Sequence, residues 1–336
     1  MRAVRLHELG GPQKLVIEEV DDPTPAAGEI LIKVKRAAFN RRDVFITQGL
    51  YPGIQFPAIL GSDGCGVVVA HGAGAGGPAV GSTVVINPMI GWGDDPRFWR
   101  TAGNVLGMPH PGTFADYVCA PAENVFAKPA RLSDDQAAAI PLGGLTAYRA
   151  VFTRGRCTKD DVVLIPGIGG GVQTFVLLFA KSAGAKTIVT SSSDAKLARA
   201  TALGADVAIN YKTNENWSRE VRAHSDGGPS LIVDAVGGET FARALDAART
   251  GARVVTYGGT TGDAKIRMFS VFWKHLDILG TSMGSPDDFR AMLDLFANSA
   301  LEPAIDEVVD LADVVAAAER VLAGEQFGKV VLRIAD

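Results

Sequence analysis

Cysteine is scarce in this chain, and the three thiols present, Cys65, Cys119 and Cys157, lie far apart without forming a C-x-x-C pair. That excludes a disulfide framework and a structural zinc knuckle, and it points to a reducing compartment. A basic excess is missing too. The 33 Lys and Arg residues stand against 37 Asp and Glu, a formal charge of -4, so no nucleic-acid partner is expected. No secretory signal is expected from "MRAVRLHELGG", which carries charge where such a signal would carry its apolar core. A cytoplasmic protein is the expectation. No repeat period runs through the abundant glycine and alanine.

One uncharged run, "VVLIPGIGGGVQTFVLLFA" at 162–180, is long enough to raise the question of a membrane span. Pro166 and Gly167, Gly169, Gly170 and Gly171 sit in its middle, where a backbone in lipid would need an uninterrupted hydrogen-bonded helix. The run therefore reads as a buried strand, a glycine turn and a helix, and no membrane partner is expected.

With 336 residues the chain is long enough for about two domains. Up to about Phe126 it is mostly strand and turn. In "EILIKVKRAA", Ile30, Ile32 and Val34 alternate with Leu31, Lys33 and Lys35, the mark of a half-buried strand. "GVVVA", "STVVI" and "FADYVCA" are further strand candidates. In "RLSDDQAAAIP", Ser133 followed by Gln136 is a capping box that opens a helix. Strands then alternate with helices through "VVLIP", "TIVTS", "DVAIN", "LIVDAV", "RVVTYGG" and "DILGTSM", with helices expected after the first four. Such alternation predicts a parallel, doubly wound sheet. The last part offers two amphipathic helices, "DDFRAMLDLFAN" and "DVVAAAERVLAG", and a strand "KVVLRI", but no sheet of its own. The expected division is 1–127, 128–284 and 285–336, with the last segment returning to the first.

A glycine turn between strand and helix lets the backbone approach a pyrophosphate at the positive end of the helix dipole. The next strand decides which dinucleotide binds, since an acidic side chain at its tip would accept from a ribose 2′-OH. Here the tip offers Ser191 and Ser192, with Lys196 one turn on, a set that suits a 2′-phosphate and so NADPH (NADP+). Asp194 is read as a helix-capping residue. Tyr211 stands between a phosphate-side role and an ordinary edge-strand tyrosine.

The ordered segments "AAFNRRDVFITQGLYP", "FPAILGSDGCGVVV", "AAAIPLGGLTAYRAVF", "GIGGGVQTF", "DAVGG" and "FGKVVL" resemble the medium-chain dehydrogenase/reductase superfamily over essentially the whole chain. The resemblance is greatest to its zinc-free quinone oxidoreductase and enone reductase branch. It implies an α/β fold, with a Rossmann doubly wound parallel sheet inserted into a GroES-like β-rich catalytic domain, and a homodimer joined through "DILGTSM". Zinc-dependent relatives carry ligands in the segments matching "FNRRD", "GSDG" and "PLGGLTAY". Here those segments offer Asn40, Arg41, Arg42 and Asp43, then Ser62 and Asp63, then Gly143, Gly144 and Thr146, which is no zinc-ligand set. No metal is expected, and His110, between two prolines, is read as structural.

The resemblance carries Asn40, Asp43 and Tyr51 onto catalytic positions. It carries Thr146, Gly167, Gly170, Gly171, Val172, Gly258, Met283 and Lys329 onto the cofactor. Asn40 could equally be a turn residue, Asp43 a helix cap and Tyr51 a core aromatic. Trp92 and Trp99, in a loop with Phe98, either roof a pocket or cover the core. Two departures stand out: Gln48 replaces an arginine of the quinone-reductase pattern, and Gln173 replaces the last glycine of a Gly-Gly-Val-Gly turn. The expected activity is NADPH-dependent, zinc-independent hydride transfer to a quinone or an α,β-unsaturated carbonyl. The alternatives are a zinc-dependent alcohol dehydrogenase with atypical ligands and a non-catalytic NADPH-binding structural or sensor protein.

Overall fold

The computed structural model describes residues 1–335. In chain order the first strands are β1 (Arg2–Leu6), β2 (Leu15–Glu19) and β3 (Glu29–Ala38), followed by helix α1 (Arg41–Thr47). Then come β4 (Ala58–Ile59), β5 (Asp63–His71), β6 (Thr83–Ile86), β7 (Met89–Ile90), β8 (Asn104–Val105), β9 (Tyr117–Pro121) and β10 (Val125–Ala127). Helices α2 (Asp134–Ala139) and α3 (Pro141–Tyr148) lead to β11 (Val162–Ile165), α4 (Gly171–Ser182), β12 (Lys186–Ser191), α5 (Asp194–Ala202) and β13 (Val207–Asn210). The alternation continues with α6 (Trp217–Ala223), β14 (Leu231–Asp234), α7 (Gly238–Ala247), β15 (Arg253–Thr256), α8 (Met268–Trp273) and β16 (Asp277–Gly280). The chain closes with α9 (Pro286–Asn298), β17 (Ile305–Asp310), α10 (Val314–Ala323) and β18 (Lys329–Arg333).

Two compact units result, Met1–Leu145 with Ser285–Asp336, and Thr146–Gly284. The first is built on a seven-stranded sheet ordered β10-β6-β5-β3-β18-β17, with β9 also paired to β3. Its core is supplied by the alternation read from the sequence: Ile30, Ile32 and Val34 of β3 are buried with Phe39, Leu60 and Phe114. The closing segment does have strands to contribute. Strands β17 and β18 pair in parallel, and β18 joins β3 antiparallel, with Val331 opposite Ala38. Strand β17 was missed because its residues are all half-buried or exposed and show no alternation.

Residues 128–145 group with the first unit, although the change of character at residue 128 had placed them in the nucleotide domain. The capping box is present, with Gln136 N donating to Ser133 Oγ at 3.1 Å and Ser133 N to Gln136 Oε1 at 2.9 Å. The helix it opens is short and packs on β3, β5, β17 and β18, so its apolar face belongs to the first core. Residue 336 lies outside the described residues.

The second unit is one six-stranded sheet, ordered β13-β12-β11-β14-β15-β16, in which every pairing is parallel. This is the Rossmann order, whose topological reversal lies between β11 and β14. Its core holds Leu164, Ile188, Ile209, Ile232 and Val254. Helix α8, between β15 and β16, was not expected from the sequence. It has no amphipathic pattern, and Met268, Phe269, Phe272 and Trp273 are all exposed. Among the described residues no helix is long and apolar enough to cross a membrane.

Phe114 is fully buried, and its ring lies 4.7 Å from that of Phe39, the residue just before Asn40. Phe114→Ala should therefore destabilise the first unit by about 3–5 kcal/mol, read as a lower urea midpoint.

Candidate active site

In the second unit the expected cofactor residues converge on the carboxyl ends of the strands. The turn after β11 is held to β12, since Ile168 N donates to Thr190 O at 2.8 Å. Helix α4 begins on Gly170, which has no side chain to cap it, and it runs for 12 residues. Its first turn therefore presents backbone N–H groups at the positive end of the dipole, a site for anionic oxygens. Gly167, Gly171 and Val172 are half-buried around that turn.

Gly169 has φ +139°, and a Cβ there would lie 2.8 Å from Lys196 Cδ, so the Lys196 side chain crosses the turn itself. Gln173 folds back over its own helix start: its Oε1 would be 2.5 Å from a Cβ on Gly170. The side chain thus stays local and does not force the turn open.

Ser191 is buried and accepts from Ser193 N at 3.2 Å, whereas Ser192 is exposed. Tyr211 N donates to Ser191 O at 3.1 Å, and its ring packs on the core of this unit. The helix cap is Ser193 and not Asp194, because Lys196 N donates to Ser193 Oγ. Asp194 instead accepts from Asn210 Nδ2 at 2.7 Å, which ties its carboxylate to β13. Gly258 is exposed, with no protein atom closer than 3.5 Å to a Cβ built on it, which leaves room for a close approach. Thr146 is buried on α3, and Met283 is buried in a left-handed conformation at φ +52°.

In the first unit three neighbouring strands bring Asn40, Asp63 and Lys329 together. Asn40 follows β3, Asp63 starts β5 opposite Ala38, and Lys329 starts β18 in a register that continues to Asn40. Gly328, at φ +97°, lets the chain enter β18, for a Cβ there would collide with the Ala304 carbonyl. Lys329 had been expected to reach a cofactor phosphate. Instead its ammonium, 2% exposed, donates to Asn40 Oδ1 and Asp63 Oδ2, both at 2.7 Å. Asn40 Nδ2 donates to Asp63 Oδ2 at 2.9 Å, and Leu142 N to Asp63 Oδ1 at 2.7 Å. The Asn40 amide is thereby fixed in both halves, with one N–H still to place.

Asn40 caps α1, and its N–H donates to Asp43 Oδ2 at 2.7 Å. The other oxygen of Asp43 is buried without a partner. Burial pushes this carboxyl up to about 6 from 3.8, against the pull of Arg42 and of the Asn40 N–H. Between those values the folded protein holds a proton that the unfolded chain releases. Asp43 therefore subtracts stability as pH rises through that window.

Arg42 is buried. Its Nη1 donates to Ser62 Oγ at 2.7 Å and to Leu106 O at 2.9 Å, and its guanidinium stands 5.5 Å from the centre of the Tyr51 ring. Tyr51 is 36% exposed, so it is not a core aromatic, and burial of its hydroxyl raises the pKa above that of an ordinary tyrosine. Trp92 is buried, with Nε1 donating to Asp95 O at 2.8 Å, and closes its own loop; Phe98 is exposed. The Asp63–Lys329 pair on Asn40, and the anchoring of Arg42 on the neighbouring Ser62, were not read from the sequence. The available signal was a lysine heading the otherwise apolar strand "KVVL".

A zinc ion does not fit this cluster. It offers one carboxylate, already paired with a buried ammonium, where thiolates and imidazoles would be needed. Among the described residues no group of three or more His, Cys, Asp or Glu side chains is placed to hold a metal. Burial pushes the Cys65 and Cys157 thiols up to about 12 and Cys119 up to about 11, so none is a thiolate at neutral pH.

Two family models match, the alcohol dehydrogenase GroES-like domain over 26–130 and the zinc-binding dehydrogenase over 171–298. A zinc-type alcohol dehydrogenase-like protein, YogA, of Leptosphaeria maculans is 34% identical over 95% of this chain and 94% of its own. An acryloyl-coenzyme A reductase of Metallosphaera sedula is 27% identical over 96% and 97%. Among solved structures, an NAD-dependent alcohol dehydrogenase superposes with a TM-score of 0.93 at 34% identity, each chain fully covered.

Replacing Asp63 by Asn leaves the Lys329 ammonium buried without its counter-charge. Asp63→Asn should destabilise the protein by about 3–5 kcal/mol, and adding Lys329→Met should restore part of that loss, both read from urea midpoints.

Proposed function

Because the chain belongs to the medium-chain dehydrogenase/reductase superfamily, oxidoreductases that use a nicotinamide dinucleotide, we propose that it transfers hydride from NADPH to a quinone or an α,β-unsaturated carbonyl without zinc. The observation that carries this reading is the Asn40–Asp63–Lys329 cluster, in which Asn40 and Asp63, from two of the segments where zinc-dependent relatives keep ligands, are held instead by a buried ammonium. Without a Lewis acid to hold the alkoxide, interconverting a simple alcohol and ketone loses its usual electrophile. Conjugate reduction is less demanding, because its enolate or hydroquinone anion is delocalised and needs only hydrogen-bond donors. Asn40 supplies the remaining N–H of its fixed amide, and Tyr51 supplies a hydroxyl that stays protonated at neutral pH. A relative named for reducing acryloyl-coenzyme A supports conjugate reduction.

The preference for NADPH is supported by Lys196 lying across the Gly169 turn and by Asp194 being held by Asn210. A cation stands near the phosphate turn, and the one acidic candidate at the strand tip already has a donor. The solved alcohol dehydrogenase described above is NAD-dependent, so the cofactor is decided by measurement on this chain.

A homodimer is part of the same proposal. Strand β16 ends the parallel sheet with one edge unpaired, and α8 beside it exposes Phe269 stacked on Trp273 at 5.3 Å. An apolar patch next to an open strand edge is a surface a second copy covers well.

Purified protein should oxidise NADPH faster than NADH with 1,4-benzoquinone or cyclohex-2-enone, carry no stoichiometric zinc by elemental analysis, and show little activity with ethanol. Lys196→Ala should raise KM for NADPH about 10-fold, the worth of one charged hydrogen bond, and leave KM for NADH nearly unchanged. No turnover with any quinone or enone would sink the proposal. Sedimentation should give a dimer that Trp273→Asp converts to monomer.

A further inference from the structure

Arg42 presents a problem that the proposed reaction leaves open. Its guanidinium belongs to a residue only 8% exposed. Among the described residues it forms no ion pair. Asp43, the next residue, is near enough to feel the charge, yet its free oxygen Oδ1 makes no hydrogen bond and its other oxygen belongs to the Asn40 N–H. Nη1 of Arg42 is engaged by Ser62 Oγ and the Leu106 carbonyl, both neutral acceptors, and the Tyr51 hydroxyl also feels the guanidinium as a neutral hydrogen-bond partner. Nε is buried with no partner. A buried charge without a paired opposite charge is expensive, and a buried N–H without an acceptor adds to the expense. A fold keeps such a group where a ligand completes it.

The position is informative. Ser62 lies in the segment where zinc-dependent relatives carry a histidine ligand, and the guanidinium is anchored on that serine. The Tyr51 ring stands 5.5 Å from it and is itself partly exposed, so the one residue lying over the guanidinium also borders solvent.

We propose that Arg42 is the electrophile of the site, binding through its guanidinium the acceptor oxygen that becomes negative on hydride addition. This rests on the hydride-transfer reading above. Bound NADPH would supply the hydride, forming a C–H bond at the β-carbon of the acceptor while the C=C pair shifts to give an enolate, and would be left as NADP+. The oxygen of that enolate lies against Arg42 until water protonates the α-carbon. For a quinone the same oxygen is that of the hydroquinone anion. The substrate class is therefore narrowed to acceptors whose conjugated oxygen can reach a planar guanidinium while its ring or chain packs on Tyr51. An arginine fork supplies the fixed positive charge that a metal supplies elsewhere.

The test uses 2,4-dinitrophenolate, whose anionic oxygen on a conjugated ring imitates the enolate or hydroquinone anion and which binds without turnover. It is titrated into wild type, Arg42→Gln and Arg42→Lys, with and without NADP+. Arg42→Gln should weaken binding at least about 10-fold, and Arg42→Lys, which keeps the charge but not the fork, should fall between. Equal affinity in wild type and Arg42→Gln overturns the proposal. If Arg42→Gln does not fold, a crystal structure of the wild-type complex decides: the phenolate oxygen within hydrogen-bond reach of the Arg42 guanidinium supports it, and an oxygen seated elsewhere overturns it. Wild-type NADPH oxidation with cyclohex-2-enone is measured in parallel. Phenolate binding that depends on Arg42 without any turnover would count against the hydride-transfer reading while leaving the anion site in place.

Discussion

The first unit is organised around one buried ammonium. Lys329, 2% exposed, is stable inside only because Asp63 and Asn40 both face it at 2.7 Å. That need fixes the return of the closing segment, since β18 must lie against β3 in the register that sets Lys329 opposite Asn40. It also ties in α3, whose Leu142 N–H satisfies the second oxygen of Asp63. Strands far apart in sequence are thus joined by a few charge-assisted hydrogen bonds, stronger than neutral ones and costly to leave unmade.

The same cluster shapes what chemistry the unit can perform. A donor set of amide, carboxylate and ammonium lacks the thiolates and imidazoles of a zinc site, and its carboxylate is paired with the Lys329 ammonium. What it offers instead is fixed hydrogen-bond donors and a second cation, Arg42, set on Ser62. On the proposed reading these donors face a delocalised anion, which asks less of its surroundings than an alkoxide does. The second unit supplies a different kind of recognition. Its glycine turn and the uncapped start of α4 offer backbone N–H groups, and Lys196 adds a charge over Gly169.

Local patterns were legible wherever a few adjacent residues decide the structure. The period-two alternation of "EILIKVKRAA" became β3, and Ser133 with Gln136 became a capping box. The glycine run became a strand-turn-helix, and the six strand candidates became one parallel sheet. The failures have a common cause. Strand β17 carries no alternation because both its faces are only half covered, and α8 is apolar yet exposed. Residues 128–145 changed secondary structure type without leaving the first core. Asp194 looked like the cap, but Ser193 next to it took that position and left Asp194 to Asn210.

From residue order alone come the α/β class, the strand sequence of the nucleotide unit, the phosphate-binding turn and the poverty of metal ligands. Each depends on neighbours within a turn or a strand, or on residue types that are simply present or absent. The partner of Lys329, the orientation of the Asn40 amide, the uncompensated charge of Arg42 and the folding of Gln173 over Gly170 belong to the tertiary structure. They depend on which distant side chains meet and on whether water reaches them. A lysine at the head of a strand is solvated or buried according to what the sheet places opposite, and here residues 40 and 63 decide it.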